Sequence, residues 1–221
     1  LSHDGGAVLN QVPEINSIRK SGSYGFDPVF RGFKYDQLNV VIDGVQTATA
    51  ACPNRMDPPT SQIAPNMMEQ IQVVKGPHSM RYGNAFGGTI NFVSTLPQFS
   101  ESRETYGRVS GIFEHNGGIL RNEGMIGFRH RRYDLGVFGT YARGNTYRDG
   151  TGVDVPANFR RGSLGARLGI KLSIKQQLQF SVTRNFARDV DFPSLPMDLR
   201  KDDTWLLNVK HSMAVNRPSL K

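Results

Sequence analysis

The sequence is poor in cysteine, in tryptophan and in long apolar runs, and each shortage narrows what the protein can be. Its 221 residues include one cysteine, Cys52, and one tryptophan, Trp205. A single cysteine cannot form an internal disulfide, so disulfide counting gives no information about the cellular compartment. No apolar run reaches the roughly 18 residues of a transmembrane helix, which excludes a helical membrane protein. Membrane β-strands, which alternate apolar and polar residues, are not excluded.

Acidic side chains are also in short supply. The 19 Asp and Glu residues face 27 Lys and Arg residues, which gives a net charge of +8. This charge permits binding to nucleic acid or to anionic lipid headgroups. The basic residues are scattered along predicted strands without a dense block, which favours the rim or the polar lumen of a membrane barrel. A basic, β-rich nucleic-acid-binding protein is kept as a remote alternative. No nucleophile–base signature or phosphate loop is present, so no enzyme activity is expected.

The chain changes in texture near residue 97. Before that point, short apolar runs separated by turn residues predict strands over residues 38–45, 71–77 and 87–93, and a short helix over residues 63–70. These elements predict a small mixed α/β domain over residues 1–97.

Long alternation of polar and apolar residues follows from residue 98 to residue 221. It predicts about six antiparallel strands, over residues 104–114, 119–130, 132–147, 160–172, 175–188 and 203–215. Strands of this length exceed the roughly 5–6 residues of soluble sheets but suit a membrane crossing, which takes about 9–11. Tight links at residues 116–118 and 174–176, and longer ones at 147–159 and 189–203, predict short turns on one side and long loops on the other. About 22 strands are needed to close a barrel around a separate domain, so we expect residues 98–221 to be the first strands of a truncated barrel.

The segment from Arg31 to Thr95 resembles the plug domain of TonB-dependent outer-membrane receptors. The residues that carry the resemblance are Arg31-Gly32-Phe33, Val41-Ile42-Asp43-Gly44-Val45, Glu69-Gln70-Ile71-Gln72-Val73-Val74-Lys75-Gly76-Pro77, Tyr82-Gly83 and Gly87-Gly88-Thr89-Ile90-Asn91. The resemblance implies a plug inside a 22-stranded transmembrane β-barrel in the outer membrane of a Gram-negative bacterium. It also implies substrate import driven by the TonB–ExbB–ExbD complex. The TonB-binding box expected upstream is absent from the sequence, so we expect the N-terminal part of the plug to be incomplete.

Two pairs of soft metal ligands stand out within this frame. Cys52 and Met56 are four residues apart, and His211 and Met213 are two residues apart. Thiolate and thioether sulfurs select copper(I), zinc or iron–sulfur chemistry over magnesium and calcium. Residues four apart share one face of a helical turn, and residues two apart share one face of a strand.

The two soft pairs resemble the motif of the copper-transporting branch of the family. That resemblance implies that copper is the transported substrate, bound between plug and barrel by Cys52, Met56, His211 and Met213. The strand face that carries His211 also carries Leu207 and Val209. Such a partly apolar face can be turned either to the plug or to lipid. A siderophore, haem or cobalamin is the alternative substrate, but residues 47–63 contain one arginine and no aromatic residue, which favours a bare ion.

Overall fold

The computed structural model describes residues 4–22, 24–47 and 58–214. Its one α-helix and fifteen strands within these residues are α1 (Gly5–Leu9), β1 (Ile15–Arg19), β2 (Phe26–Phe30), β3 (Phe33–Lys34), β4 (Leu38–Ile42), β5 (Val45–Gln46), β6 (Met68–Val74), β7 (Gly88–Ser94), β8 (Glu104–Glu114), β9 (Ile119–Arg129), β10 (Tyr133–Gly144), β11 (Tyr147–Arg148), β12 (Asp154–Val155), β13 (Phe159–Lys171), β14 (Gln176–Val190) and β15 (Leu199–Met213). No helix among the described residues is long and apolar enough to cross a membrane.

Two small sheets and short 3-10 turns form the N-terminal region, residues 4–94. The first sheet has the order β1-β2-β3, and the second has the order β5-β4-β7-β6, in which β4 and β7 run parallel. The helix predicted over residues 63–70 is wrong. The 3-10 turn Pro65–Met67 lies in this stretch, and β6 begins directly after it at Met68. Pro65 holds Ala64 in an extended conformation, so a helix cannot begin at Ile63.

A single apolar cluster joins these two sheets and α1. It contains Leu9, Ile15, Phe30, Leu38, Val40, Ile63, Ile90 and Phe92, each at most 6% exposed. The glycine signature of this region has a packing cause. Gly88 has a φ of +129°, and a Cβ there would lie 2.8 Å from the carbonyl oxygen of Val74. Only glycine fits this close approach of β7 to β6 without strain.

The long strands form one antiparallel sheet of six, in the order β15-β14-β13-β10-β9-β8. Their lengths run from 11 to 15 residues. The predicted fold class, a small mixed α/β region followed by long antiparallel strands, is confirmed. The domain boundary between residues 97 and 98 stays a prediction.

The connections between the long strands sort into two ends of the sheet. Residues 130–132 and 172–175 are short turns at one end, whereas the longer connections 145–158 and 191–198 lie at the other. The prediction that residues 116–118 lie with the short turns is wrong. Asn116 accepts from the backbone N–H of Arg148 and donates to its carbonyl oxygen, which places this turn at the long-loop end. Loop length is therefore only an approximate guide to the side of a sheet.

The two faces of the sheet differ in chemistry. The inner face, toward the N-terminal region, buries polar side chains such as Arg161, Arg167 and Gln179. The outer face leaves large apolar side chains exposed, including Leu164 at 62% and Leu207 at 79%. This inverts the usual arrangement of a water-soluble sheet, whose apolar face is the buried one.

Candidate functional site

The candidate site lies where the N-terminal region meets the inner face of the sheet. Cys52 and Met56 fall in residues 48–57, outside the described residues. The residues on either side of this segment, Thr47 and Pro58, belong to the part of the chain that the structure describes. Thr47 lines a cavity of about 90 Å³ together with Thr183 and Leu206 of the sheet. Pro58, at the other side, is buried and leads into a buried 3-10 turn. Pro58 also accepts the N–H of Ser61, whose carbonyl oxygen binds Arg161 of the sheet, so both flanking residues are linked to the inner face.

The cavity itself is lined from both sides. Met67 and Met68 contribute from the N-terminal region, and Phe138 and Arg167 contribute from the sheet. Met67 is 8% exposed and packs with Ala64 and Phe138, so it acts as an apolar filler of the interface.

One buried ion pair anchors the start of α1 to the sheet. The Arg161 guanidinium donates to Asp4 Oδ2 over 3.0 Å, and the two side chains are 7% and 2% exposed. Asp4 is also the N-cap of α1, since its Oδ1 accepts the Gly6 N–H at 2.8 Å. A second guanidinium N–H of Arg161 donates to the carbonyl oxygen of Ser61. Arg161 therefore binds two separate segments of the N-terminal region at once.

A second buried arginine repeats this arrangement nearer the short-turn end. Arg167 forms an ion pair of 3.0 Å with Asp134 on the neighbouring strand, and the side chains are 4% and 1% exposed. Another guanidinium N–H of Arg167 donates to the carbonyl oxygen of Thr95. Tyr106 donates its hydroxyl to Asp134 over 2.6 Å. The sheet thus pre-orients Arg167 and presents it to the chain that leaves β7.

A weaker contact lies farther along the inner face. Lys210 Nζ is 3.7 Å from Asp43 Oδ1, and Asp43 follows β4 at the Asp-Gly turn with a φ of +51°. Asp43 also accepts the Ser94 N–H at 3.1 Å. These contacts hold the turn between β4 and β5 against β15.

Sequence reasoning missed the positioning role of Arg161 and Arg167. The available signal was their parity. On β13 they have the opposite parity to Leu164, Ala166 and Leu168, so these two arginines and the aliphatic residues occupy opposite faces. Parity does not reveal which face is inner, and that assignment required the contacts with Asp4, Ser61 and Thr95.

His211 and Met213 lie on the outer face, which is the side away from the N-terminal region. Both are exposed and share their face with Trp205, Leu207 and Val209. Lys210, on the opposite parity, is the residue that reaches Asp43. His211 is also five residues beyond Leu206 toward the short-turn end, which is roughly 16 Å at 3.3 Å per residue. The described structure therefore does not bring His211 and Met213 to the inner face beside Thr47 and Pro58, and their role as ligands stays a prediction.

No cluster of three or more His, Cys, Asp or Glu side chains suited to a metal ion occurs within residues 4–22, 24–47 and 58–214. The soft donors predicted from the sequence, Cys52 and Met56, belong to the segment outside those ranges.

Comparison with known proteins identifies relatives of both regions. The family model described as TonB-dependent Receptor Plug Domain matches residues 2–89. The vitamin B12 transporter BtuB of Vibrio vulnificus (strain CMCP6) is 33% identical over 96 residues, which are 42% of this chain and 15% of that protein.

Solved structures extend the likeness through the six-stranded sheet. The copper transporter OprC superposes with a TM-score of 0.84 at 26% identity, covering 96% of this chain and 32% of that structure. A variant of the ferric enterobactin receptor PfeA from Pseudomonas aeruginosa gives a TM-score of 0.70 at 17% identity, covering 98% and 36%. The latter likeness shows the fold alone. The chain spans about a third of the length of these structures.

Proposed function

The chain belongs to the TonB-dependent receptors, with residues 2–89 matched by the plug domain, and we propose that the protein imports copper ions. Receptors of this family reside in the outer membrane of Gram-negative bacteria and are transporters, not enzymes. The N-terminal region is accordingly called the plug below, and the six-stranded sheet is the part that matches the barrel. Import would draw energy from the TonB–ExbB–ExbD complex of the inner membrane.

The likeness to the copper transporter OprC carries this proposal. It covers plug and sheet together with a TM-score of 0.84, against 0.70 for the ferric enterobactin receptor. The likeness extends over both parts of the chain, and in the sequence Cys52 and Met56 lie between β5 and the turn Pro59–Gln62. The substrate named for that protein is copper, and a metal ion agrees with the absence of aromatic residues from residues 47–63.

Cys52 and Met56 are the ligands that we assign to the plug. A thiolate and a thioether together are a soft donor set, which prefers copper(I) to the hard divalent cations. In the sequence the segment that carries them lies between Thr47, which lines the interface cavity, and Pro58, which accepts the N–H of Ser61 beside Arg161. An ion held there would sit at the interface that Arg161 and Arg167 fasten, so displacement of the plug would disturb its coordination.

His211 and Met213 are the ligands proposed from the barrel side. Their outer-face position in the described structure argues against a direct contact with an ion at the inner face. The copper proposal therefore depends on Cys52 and Met56, and it predicts different outcomes for the two pairs.

Metal analysis of the full-length receptor tests the assignment. Cys52→Ser and Met56→Leu are expected to abolish stoichiometric binding of copper(I) added under anaerobic conditions, since each removes one soft donor. Met80→Leu is the matched control because Met80 is a plug methionine that is 66% exposed. Unchanged copper stoichiometry in Cys52→Ser, with the Met80→Leu protein also loaded, would refute the proposal. Loss of copper in His211→Ala would place the barrel pair at the site after all.

Cobalamin is the second candidate substrate, since the vitamin B12 transporter is 33% identical over 96 residues. The same purified receptor distinguishes the two. Saturable cobalamin binding that persists in Cys52→Ser would favour a cobalamin receptor, whereas copper binding that depends on Cys52 would favour a copper receptor.

A further inference from the structure

Four cationic side chains lie side by side on the outer face of the sheet. The strand register places Arg143 opposite Arg160, Arg160 opposite Arg188, and Arg188 opposite Lys201. These four residues, one on each of four neighbouring strands, are called the cation row. Neighbouring strands are about 4.8 Å apart, so the row spans roughly 14 Å.

The row is costly to the isolated protein. Like charges directly opposite each other on neighbouring strands destabilise a sheet. Arg143, Arg160 and Lys201 are exposed and take part in no ion pair within the described residues. Arg188 is 3.4 Å from Asp203, but that carboxylate already binds Arg184 at 2.8 and 2.7 Å. Sheet stability therefore gives no reason for this concentration of charge.

Acidic side chains do not neutralise the row. Asp203 is the one carboxylate that shares the outer face at this end of β14 and β15, and it lies between Arg184 and Arg188. Asp189 follows Arg188 in the chain and is exposed at the strand end with a φ of +47°. The row and Arg184 carry five positive charges against Asp203, so the patch keeps a strong positive potential.

The position of the row relative to the apolar band defines its surroundings. Moving from the middle of the sheet toward the long loops, the outer face passes Leu207, then Trp205, and then reaches the level of Tyr141, which precedes the row by two residues. The Arg184 guanidinium lies over the Trp205 ring at 5.6 Å. Exposed aromatic residues mark the membrane–water interface of outer-membrane barrels. The cation row thus lies at headgroup level, in the leaflet on the long-loop side.

We propose that the cation row binds the phosphate groups of a phosphorylated glycolipid in the outer leaflet. Arginine presents a planar fork of donors that binds two phosphate oxygens at once, and a row of them suits a headgroup with more than one phosphate. The long loops of such barrels face the outside of the cell, so the outer leaflet supplies the ligand. The bound phosphates would also relieve the repulsion within the row. This site is separate from Cys52 and Met56, and it does not depend on copper transport.

Native mass spectrometry of the full-length receptor in detergent tests the site. The probes are a diphosphorylated lipid A, the same glycolipid without phosphates, and inorganic phosphate. Each cation near an anionic lipid contributes about a fivefold change in affinity, so the triple variant Arg143→Gln, Arg160→Gln, Lys201→Gln should bind the diphosphorylated lipid about a hundredfold more weakly. Arg131→Gln is the matched control, because Arg131 is exposed at the short-turn end and pairs with Glu101 at 2.7 Å. It should bind the lipid as the wild type does.

Three outcomes would overturn the proposal. The triple variant could bind the diphosphorylated lipid as tightly as the wild type, or the phosphate-free glycolipid could bind equally well. Binding of inorganic phosphate as tight as that of the lipid would show a site for free anions. Thermal unfolding checks that the triple variant is folded, and it should unfold no earlier than the wild type because repulsion is removed. Copper stoichiometry should be unchanged, so this test and the copper test fail independently.

Discussion

In the plug, eight buried apolar side chains form one cluster and the strands have at most seven residues, whereas the sheet has strands of 11 to 15 residues and buries charged side chains on its inner face. Phe30, Ile90 and Phe92 form the centre of the plug cluster. On the sheet, Arg161 and Arg167 are buried, and Leu164 and Leu207 are exposed. The plug has the interior of a water-soluble protein, and the sheet has the inverted faces of a membrane-spanning one.

The interface between the plug and the sheet contains polar as well as apolar contacts. Its described contacts are ion pairs and hydrogen bonds from Arg161 and Arg167, together with apolar packing of Tyr24 and Met67 against the sheet. Polar groups that separate can be hydrated, whereas separated apolar surfaces cost about 25 cal/mol per Å². The eight-residue apolar cluster of the plug contains no residue of the sheet, so the plug can move relative to the barrel without losing that cluster.

The largest expected effect comes from the contact that joins the two regions. Asp4→Ala removes the partner of Arg161, the cap of α1 and the acceptor of the Gly25 N–H at 3.3 Å. An arginine left buried without a partner costs about 3–5 kcal/mol. Hydrogen exchange of α1 and β2 in the full-length receptor measures the release of the plug by urea. The free energy of this release should fall by that amount.

Asp154→Ala is the control for this change, because it breaks the exposed ion pair with Arg148, whose side chain is 74% exposed. Exposed pairs contribute about 0–1 kcal/mol. The double change Asp4→Leu with Arg161→Met should recover much of the loss, since it leaves no buried charge. A loss in Asp4→Ala no larger than that in Asp154→Ala would show that the polar contact does not hold the plug.

The second effect tests the inverted faces of the sheet. Leu207→Arg puts a charge on the outer face in the apolar band, at a residue that is 79% exposed. A midplane arginine on the lipid face of a barrel costs about 2–4 kcal/mol. Unfolding of the receptor from lipid vesicles by urea should reveal this loss, although a water-soluble sheet would tolerate a charge at so exposed a position.

Phe113→Arg is the matched control. Phe113 is 66% exposed on the same face, and the register through Leu120 places it at the level of Arg143 in the cation row. Near the interface the cost of an arginine falls to about 0–1 kcal/mol. Equal losses for the two variants would contradict the assigned position of the membrane.

The strands were predictable because their signal is local. The predicted bounds of residues 104–114 coincide with β8, and those of 203–215 overlap β15, which runs from Leu199 to Met213. Alternation over ten or more residues defines a strand without any knowledge of its neighbours. The prediction of a helix over residues 63–70 is wrong because Pro65 holds Ala64 in an extended conformation and β6 begins at Met68.

The candidate site was less predictable because it depends on which face of a strand points inward. The alternation of residues along the strand predicted that His211 and Met213 share a face with Leu207 and Val209. The structure bears this out. The pattern is symmetric between a lipid face and a plug face, so it could not place that face. Contacts distant in sequence, such as Lys210 with Asp43, were needed for the assignment. Cys52 and Met56 lie outside the described residues, and their ligand role stays a prediction.

A third, smaller effect concerns the apolar core of the plug alone. Ile90 is fully buried in β7, and Ile90→Val removes one methylene group from the cluster. Such a change costs about 0.5–1.5 kcal/mol. Hydrogen exchange of β4 and β7 should become faster by the corresponding factor, while exchange of β13 and β14 stays the same. Ile174→Val is the control, since Ile174 is 96% exposed in a short turn. Slower exchange in the plug, or equal changes in both regions, would show that the plug lacks a core of its own.

The smallest effect is electrostatic and belongs to the exposed side of the plug. Hydrogen bonds from Lys75, then from Arg31, lower the pKa of Glu14 below its ordinary value. The corresponding distances are 2.9 and 3.0 Å, and the side chains are about half exposed. Since the pKa is lowered on folding, the ionised carboxylate stabilises the plug above the unfolded-state pKa of about 4.3. That stability is lost as the pH falls through the lower, folded-state value.

Glu14→Gln should therefore lower the unfolding temperature of the plug slightly at pH 7 and leave it unchanged at a pH below the folded-state value. The difference at pH 7 should shrink in about 1 M salt, because solvent-exposed ion pairs are screened. Calorimetry of the full-length receptor at both pH values measures it, with Glu101→Gln, which breaks the exposed pair with Arg131, as the control. A difference that grows toward acid pH would mean that the protonated form of Glu14 is the one favoured by the fold. In that case the hydrogen bond from Lys75 to Glu14, which joins the Gly76-Pro77 turn at the end of β6 to the start of β1, would not stabilise the plug.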